Sequence, residues 1–476
     1  MKTFTLHSDT LIRWLNGIDY FLWSRCLIFL LIGVGLYLTF RLRGMQFKYL
    51  PYALKLAFTR QDKEAKGDIS QFQALMTALA ATIGIGSIAG VATAIVGGGM
   101  GSIFWMWVIA LIGMATKYAE AILAIKYRTR DHRGEMCGGP MHYIRRGLKW
   151  KWLAGFFAVA GMLSALAGGN LTQSHSIADA IYNLTHIPPI WTGLVTAIAT
   201  GIIVLGGIGS IGRVCSFLVP IMAGTYILGG LIIIFSHIAQ VPASLIHIVK
   251  TAFTGEAMAG GFIGATVIAA LQFGVARGIS SNEAGLGSGP IAAAAAKTDV
   301  PGRHALISMT TVFLSTLVVC TITALVISVT GVLGQTDVHG RLLNGAPLVM
   351  EAFRSVLPFG DVIVAIGLIL FGYSTIIGWS YYGEKCMEYL AVEKSIYAFR
   401  VIFCLFVFFG SLLSIEMVWP LVDIMNGLMT LPNLIGLIAL SSVVVKESRE
   451  FFKLLEREKN GLSPSEAAEL TPTNDS

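Results

Sequence analysis

The chain has 476 residues, 55% of them hydrophobic and only 13% charged, with a net charge of +7 at neutral pH and a mean hydropathy of +0.72. Soluble domains carry about 25% charged residues, so a chain this apolar belongs in a bilayer, and its basic excess falls in loops, where it orients a bundle and calls for no nucleic-acid partner. Six cysteines form no CxxC pair and have no His at ligand spacing, which leaves metal and redox chemistry without support.

The start, Met1 to Arg13, is polar and lacks the compact apolar core of a removable leader. A span needs about 20 apolar residues, and the chain predicts eleven, an all-α integral membrane protein. They fall at about 11–40, 71–97 and 102–124, then from Trp152 past Gln173, then near 190–206, 214–237, 261–296, 305–331, 360–386, 398–415 and 418–445. This divides the chain into an N-terminal extra helix (1–40), a linker (41–70), one five-helix set (71–237), a second (261–445) and a tail (446–476) read as largely disordered. Within the linker, Met45–Phe58 alternates Tyr, Leu, Lys and Phe as an amphipathic helix on the membrane surface would.

Charge orients the bundle. Arg41, Arg43, Lys48, Lys55, Arg60, Lys63 and Lys66 follow the first span, and Arg128, Arg130, Arg133, Arg145, Arg146, Lys149 and Lys151 follow the third. By the positive-inside rule both stretches are cytoplasmic. The other side is sparse, with Lys250 alone between Ala239 and Glu256. The N-terminus is therefore expected outside and the tail inside, in a cell membrane.

Two spans carry glycines where a helix should run. The second holds Thr82-Ile83-Gly84-Ile85-Gly86-Ser87-Ile88-Ala89-Gly90, and the seventh holds Phe273-Gly274 through Arg277-Gly278 to Glu283-Ala284-Gly285. Each glycine weakens a helix by about 1 kcal/mol relative to Ala, and backbone unwinds at membrane depth only against protein or a wet cavity. Two interrupted spans, each leading a set of five, point to an inverted-repeat transporter with a central site. A broken helix exposes both amides and carbonyls. The Gly84–Ser87 amides would take a carboxylate, and carbonyls near Phe273–Gly278 an ammonium. The competing reading is that Gly84, Gly86 and Gly90 only pack helices. A nucleotide-binding reading fails, because no strand and no Walker lysine accompany the glycines.

Other residues carry chemistry of their own. Lys117 and Glu120 stand one turn apart and can pair. Arg277 and Glu283 flank the second break, as a gate near the inner mouth or as a fixed pair. Asp179 and Asp423 are placed near a membrane face. Thr82, Ser374 and Thr375 offer hydroxyl oxygens of the kind hard cations require, although such residues often bond their own helix. A channel would need a repeated polar stripe or filter, and an enzyme a motif such as HExxH or GxSxG; the sequence shows neither.

Ser281-Asn282-Glu283-Ala284-Gly285-Leu286-Gly287-Ser288, followed by Pro290 and an alanine run, resembles the signature of the alanine or glycine:cation symporter family. Phe104-Trp105-Met106-Trp107-Val108, Gly138-Gly139-Pro140-Met141 and Gly378-Trp379-Ser380-Tyr381-Tyr382-Gly383-Glu384 resemble it as well, and the likeness runs from Leu11 to about Val445. It implies the leucine-transporter type of fold and uptake of alanine or glycine, possibly D-alanine, with Na⁺ as coupling ion. It also implies a substrate-binding role for Gln173; an interhelical hydrogen bond is the alternative. Trp379 and Phe273 flank the predicted site and would wall a pocket fitting only a methyl. The substrate set is then Gly84, Gly86, Ser87, Gln173, Phe273, Gly278, Thr375 and Trp379, and the Na⁺ set Thr82, Ser374 and Thr375. The sequence departs from the family at Ile85, Ser87, Met100, His175 and Ser280, and His175 keeps H⁺ coupling open as an alternative.

Overall fold

In hydrocarbon a spanning segment must satisfy its own amides and carbonyls, which selects helices. The computed structural model describes residues 14–15, 17–59, 65–254, 266–337, 340–391, 394–413 and 415–460, and its spans obey that rule. Helix α1 (Gly17–Arg41) is followed by α2 (Met45–Phe58), the amphipathic helix read from the sequence. Helix α3 (Gln71–Thr82) starts at a reciprocal cap. The Ser70 hydroxyl accepts from the Gln73 amide at 3.1 Å, and the Gln73 side chain takes the Ser70 amide at 3.0 Å. After an unwound stretch come α4 (Ala89–Gly98), α5 (Gly101–Lys126), α6 (Lys151–Thr185), α7 (Pro189–Val204) and α8 (Gly207–Ser236). The second set has α10 (Val267–Asn282), α11 (Gly289–Ala294), α12 (Pro301–Thr330), α14 (Gly360–Leu390), α15 (Lys394–Gly410) and α16 (Ile415–Ala439).

Three helices were not anticipated. Helix α9 (Val241–Thr254) precedes α10, and α13 (Gly345–Arg354) precedes α14; both are amphipathic and, at 14 and 10 residues, too short to read as spans. Helix α17 (Ser441–Lys459) occupies much of the tail expected to be disordered. It holds together because Phe451, Leu454 and Leu455 are buried on one face. The remainder of that tail, and residues 11–13 and 261–265 of the predicted spans, lie outside the described residues.

Packing places α10 along α5 and α4, and α14 along α3, α6 and α8, so the end of α10 comes against the first interrupted stretch. The α5–α10 contact explains two motifs together. Gly274 and Gly278 let α5 approach, since a Cβ at Gly274 would stand 2.8 Å from Trp105 and one at Gly278 3.4 Å from Met106. The Gly138-Gly139 turn does the same for α11: a Cβ at Gly138 would lie 2.5 Å from Ala294.

The end of the bundle bearing the basic loops is tied by ions. Glu384 accepts two hydrogen bonds from Arg400 at 2.9 Å and lies 3.2 Å from Arg133. Lys385 is 2.9 Å from Asp131, 3.2 Å from Glu135 and 2.9 Å from Glu388. Asp131, Glu135 and Arg133 sit on a short hairpin of β1 (Thr129–Arg130) and β2 (Met136–Cys137), which the Met136 amide also joins to Asp68 at 2.7 Å. Next to it Arg128 donates to the carbonyls of Ala294, Ala296, Lys66 and Thr298. Charge-assisted bonds are the stronger kind. Arg128→Ala should therefore lower stability by about 2–3 kcal/mol, read as an earlier thermal-unfolding midpoint in detergent, while Arg130→Ala at an exposed site should leave it unchanged.

Candidate substrate and ion site

The first break lies at Ile83–Ile88. Ile83 ends α3, Gly84 is extended, and Ile85–Ser87 makes one tight turn before α4. Among the described residues this turn ties only its last amides, Ser87 to the Gly84 carbonyl and Ile88 to the Ile85 carbonyl, both at 3.1 Å. The amides of Gly84, Ile85 and Gly86 are left for another acceptor. Across from them stands Gln173. Its Nε2 donates to the Gly168 carbonyl at 3.2 Å, while its buried Oε1 has no partner. A π-helical turn, Ala167–Leu171, immediately precedes it and sets its direction. A Cβ at Gly84 would meet Thr375 Oγ1 at 2.6 Å and Gln173 Oε1 at 3.6 Å, so no larger residue keeps this approach.

One turn before the break, the Ala80 carbonyl accepts from Ser374 Oγ at 3.3 Å and Thr375 Oγ1 at 3.0 Å. Three oxygens from two helices converge there, a donor set of the hard type. Both hydroxyls also donate to the Phe371 carbonyl of their own helix, at 3.0 and 2.9 Å, as the Thr82 hydroxyl does to Ala78 and Leu79 at 3.0 and 3.3 Å; among the described residues Thr82 makes no bond across to α14. The far side of the turn is held by a chain of polar groups. Ser87 Oγ meets Ser281 Oγ at 3.0 Å, Thr323 donates to the Ser87 carbonyl at 3.0 Å, and Tyr226 bonds Thr323 at 2.8 Å.

The second break falls further along than the sequence indicated. Helix α10 runs unbroken through Phe273–Gly278, so those carbonyls serve the helix, and the unwound stretch is 283–288. The glycines at 274 and 278 gave a false signal because they serve packing on α5. The true turn contains Gly285 at φ 91° and Gly287 at φ 85°, and it opens with Glu283 itself in the left-handed region at φ 56°. Its polar groups are answered from within the protein. Glu120 accepts from the amides of Gly285 and Gly287 at 3.1 and 3.2 Å and from Asn433 at 2.7 Å; Asn433 also takes the Gly285 carbonyl at 2.8 Å. Lys117 donates to the carbonyls of Asn282 and Glu283, each at 3.4 Å. Lys117 and Glu120 thus serve the turn and make no direct bond with each other among the described residues. Sequence reasoning gave these two, and Asn433, no part in the break.

Arg277 and Glu283 are not brought together. Arg277 pairs with Asp423 at 3.4 Å, whereas Glu283 accepts from Trp379 Nε1 at 2.9 Å and from Ser288 at 2.6 Å. Six residues of helix separate the two, which puts their side chains on different faces. The Arg277–Asp423 pair lies at the end where α1, α10 and α16 begin, opposite the basic loops and not at the inner mouth expected. With Asp19, Gln272 and Phe273 it lines a cavity of about 340 Å³. Phe273 also packs on Gly97 and Gly98. It is therefore separate from Trp379, which abuts Gly169 on α6, where a Cβ would stand 2.2 Å from the Trp379 Cβ. Gly278 faces Ile109 and Met106 and not the first break. What faces Gly86 is Ser280, whose carbonyl would lie 3.6 Å from a Cβ there. Its signals in the sequence were its departure from the family pattern and its position at the end of α10, where carbonyls lose their helical partners.

The sequence pattern of the Sodium:alanine symporter family matches residues 8–466. The chain belongs to that family. Its members are transporters and not enzymes, and a member with these spans resides in a membrane. The symporter is 52% identical over 451 residues to sodium/alanine symporter AgcS of Methanococcus maripaludis, covering 93% of this chain and 98% of that one. It is 38% identical to the probable sodium/glutamine symporter GlnT of Bacillus subtilis, covering 93% and 90%. Among solved structures it resembles MhsT in complex with L-phenylalanine, with a TM-score of 0.57 at 15% identity over 81% of this chain and 93% of that one. A Na⁺-coupled sialic acid symporter gives 0.53 at 14% identity over 83% and 86%. The fold is thus the leucine-transporter type, two inverted five-helix repeats behind one extra helix.

The tight approach at Gly84 separates two glycines that look alike in sequence. Gly84→Ala pushes on the Thr375 hydroxyl and should lower amino acid uptake at least tenfold at normal expression. Gly90→Ala, where a Cβ meets nothing within 4 Å, should leave uptake within twofold.

Proposed function

We propose that this symporter imports a small neutral amino acid, alanine or glycine and in either hand of alanine, driven by Na⁺ through alternating access. The observation that carries the reading is the first break, with three free amides beside an unpartnered Gln173 oxygen and a carbonyl under two hydroxyls. In this reading the Gly84–Gly86 amides hold the substrate carboxylate, while Gln173 Oε1 and the Ser280 carbonyl take the ammonium. Na⁺ sits among Ala80, Ser374 and Thr375, replacing the proton contacts those oxygens now share. Ion and substrate then stabilise one another by closing the same break. One charge crossing 100 mV supplies about 2.3 kcal/mol, roughly fortyfold accumulation, so one Na⁺ suffices.

Sodium is preferred over H⁺ because the convergence is of neutral oxygens. His175, two residues from Gln173, is directed to the other side of its helix. Proteoliposome uptake under an imposed Na⁺ or H⁺ gradient decides the matter, with the Na⁺ gradient alone expected to drive uptake.

Trp379 supports the small substrate. It is one turn from Thr375, buried, and fixed by Gly169 and Glu283. Overpacking a rigid interior costs about 1–3 kcal/mol. Glycine and alanine should therefore compete for labelled alanine uptake, leucine should not, and Trp379→Ala should admit valine while weakening alanine. Leucine competing as well as glycine in the wild type would refute the small pocket.

The N-terminus is proposed to lie outside and α17 inside. In a cysteine-free background, a cysteine at position 150 should resist an impermeant thiol reagent applied from outside and react once the membrane is opened.

A further inference from the structure

The strongest unassigned feature is a groove of about 530 Å³ between the end of α1, the start of α2 and the face of α17. Leu42, Tyr49, Val445, Phe452 and Leu455 line its apolar part, and Tyr49 stacks on Phe452 at 4.4 Å. Its rim is cationic. Arg41, Arg43, Lys48, Arg449 and Lys453 line it, and Lys446 lines an adjoining pocket that shares Arg41, Arg449 and Lys453. All six are exposed, against Glu450 and Glu456 alone as acids of the two pockets. Among the described residues none of the six is in an ion pair; Arg41 donates to Ser442 at 3.2 Å, and Arg41 and Lys48 lie over Tyr37 and Tyr49.

Height in the membrane decides what such a groove meets. Helix α1 has 25 residues, about 37 Å of rise, enough to cross the hydrocarbon and leave Arg41 at its edge. On the other wall α16 ends at Ala439 and α17 starts at Ser441, so Lys446 and Arg449 emerge at the same edge. Phe40 and Phe47, 78% and 56% exposed, flank the groove with aromatic surface of the interfacial kind. A cationic rim above an apolar floor, open sideways at the level of headgroups, matches an anionic phosphodiester that carries acyl chains.

We propose that this groove binds one anionic glycerophospholipid, its phosphate between Arg43, Arg449 and Lys453 and its proximal chain on the Leu42–Phe452 floor. The site would brace α1 and α17, which lie outside the repeats, at the basic membrane surface.

The test uses the full-length symporter in a neutral detergent, titrated with dioleoylphosphatidylglycerol, dioleoylphosphatidylcholine or inorganic phosphate and read by native mass spectrometry and thermal unfolding. One phosphatidylglycerol should be retained at least tenfold more tightly than phosphatidylcholine, with a raised unfolding midpoint. Arg43→Ala/Arg449→Ala/Lys453→Ala should lose that preference, and Arg130→Ala/Lys151→Ala, on the same side away from the groove, should keep it. Equal retention of both lipids, or an unchanged preference in the triple variant, overturns the proposal. Phosphate raising the midpoint as far as the lipid does, at the same concentration, would make the groove a free-phosphate site and overturn it too. Should the triple variant unfold, Lys453→Glu alone must weaken phosphatidylglycerol at least threefold for the proposal to stand.

Discussion

Backbone amides and carbonyls that leave a helix inside a bilayer must find another partner, and this constraint organises the core of the molecule. Two stretches leave their helices, Ile83–Ile88 and 283–288, and they are treated in opposite ways. The second is answered largely from within the protein, with Glu120 on two amides, Asn433 on the Gly285 carbonyl and Lys117 on the carbonyls of Asn282 and Glu283. The first keeps three amides open beside a Gln173 oxygen with no partner. A buried polar group left unpaired costs about 1–3 kcal/mol, so several in one place are stable only where a polar ligand regularly arrives. One break is a joint of the protein, and in the proposed reading the other is the place for cargo.

The same contrast runs through the cations. Carbonyls at the end of α10 are neutralised by Lys117, a charge the protein cannot release. At the end of α3 the Ala80 carbonyl is met only by two hydroxyls. Hydroxyls can turn their lone pairs to an incoming ion and turn back when it leaves, which a fixed ammonium cannot do. In the proposed reading the coupling ion comes and goes at Ala80, while Lys117 keeps the second repeat's turn in shape. The cost of burying Lys117 is offset because Glu120 and Glu283 lie within the same polar cluster.

The number of spans, the linker helix and the first break were legible because they rest on local chemistry: apolar run length, a 3.6-residue pattern, and a Gly-Ile-Gly-Ser run that no helix favours. The second break was misplaced by several residues. Gly274 and Gly278 read as breakers, yet they are the hollow into which Trp105 and Met106 fit, and that function lies in a partner helix 170 residues away in sequence. Gln173 could be singled out as a polar residue in a span, but that its oxygen is unpaired depends on the π turn beneath it. Helices α9 and α13 escape a reading for spans because they are too short to cross, 14 and 10 residues. Pairings such as Arg277 with Asp423, or Trp379 with Glu283, join helices that sequence order keeps far apart, and charge alone could not choose between Glu283 and Asp423 for Arg277.

The two ends of the bundle are unequal. At the basic end, the hairpin of β1 and β2 bonds at once to Asp68 before α3 and to the Glu384–Lys385 pair on α14, while Arg128 holds the segment after α11. Both interrupted helices are thereby fastened to the framework at that end by charge-assisted bonds. At the opposite end one ion pair, Arg277–Asp423, borders a cavity of about 340 Å³. A transporter that opens alternately must loosen the basic end while the other closes. The structure indicates which bonds resist: at the basic end ion pairs hold the hairpin to α14, whereas at the other the Arg277–Asp423 pair joins α10 to α16. Closing α10 and α16 over the cavity tightens a contact already made, whereas opening the basic end must separate the buried Lys385 from Asp131 and Glu135 of the hairpin. The first break is joined to α14 through Ala80, Ser374 and Thr375, so substrate and ion binding proposed there would act on the helix that carries Glu384 and Lys385. That shared helix is the physical route by which an occupied site can be felt at the closed end.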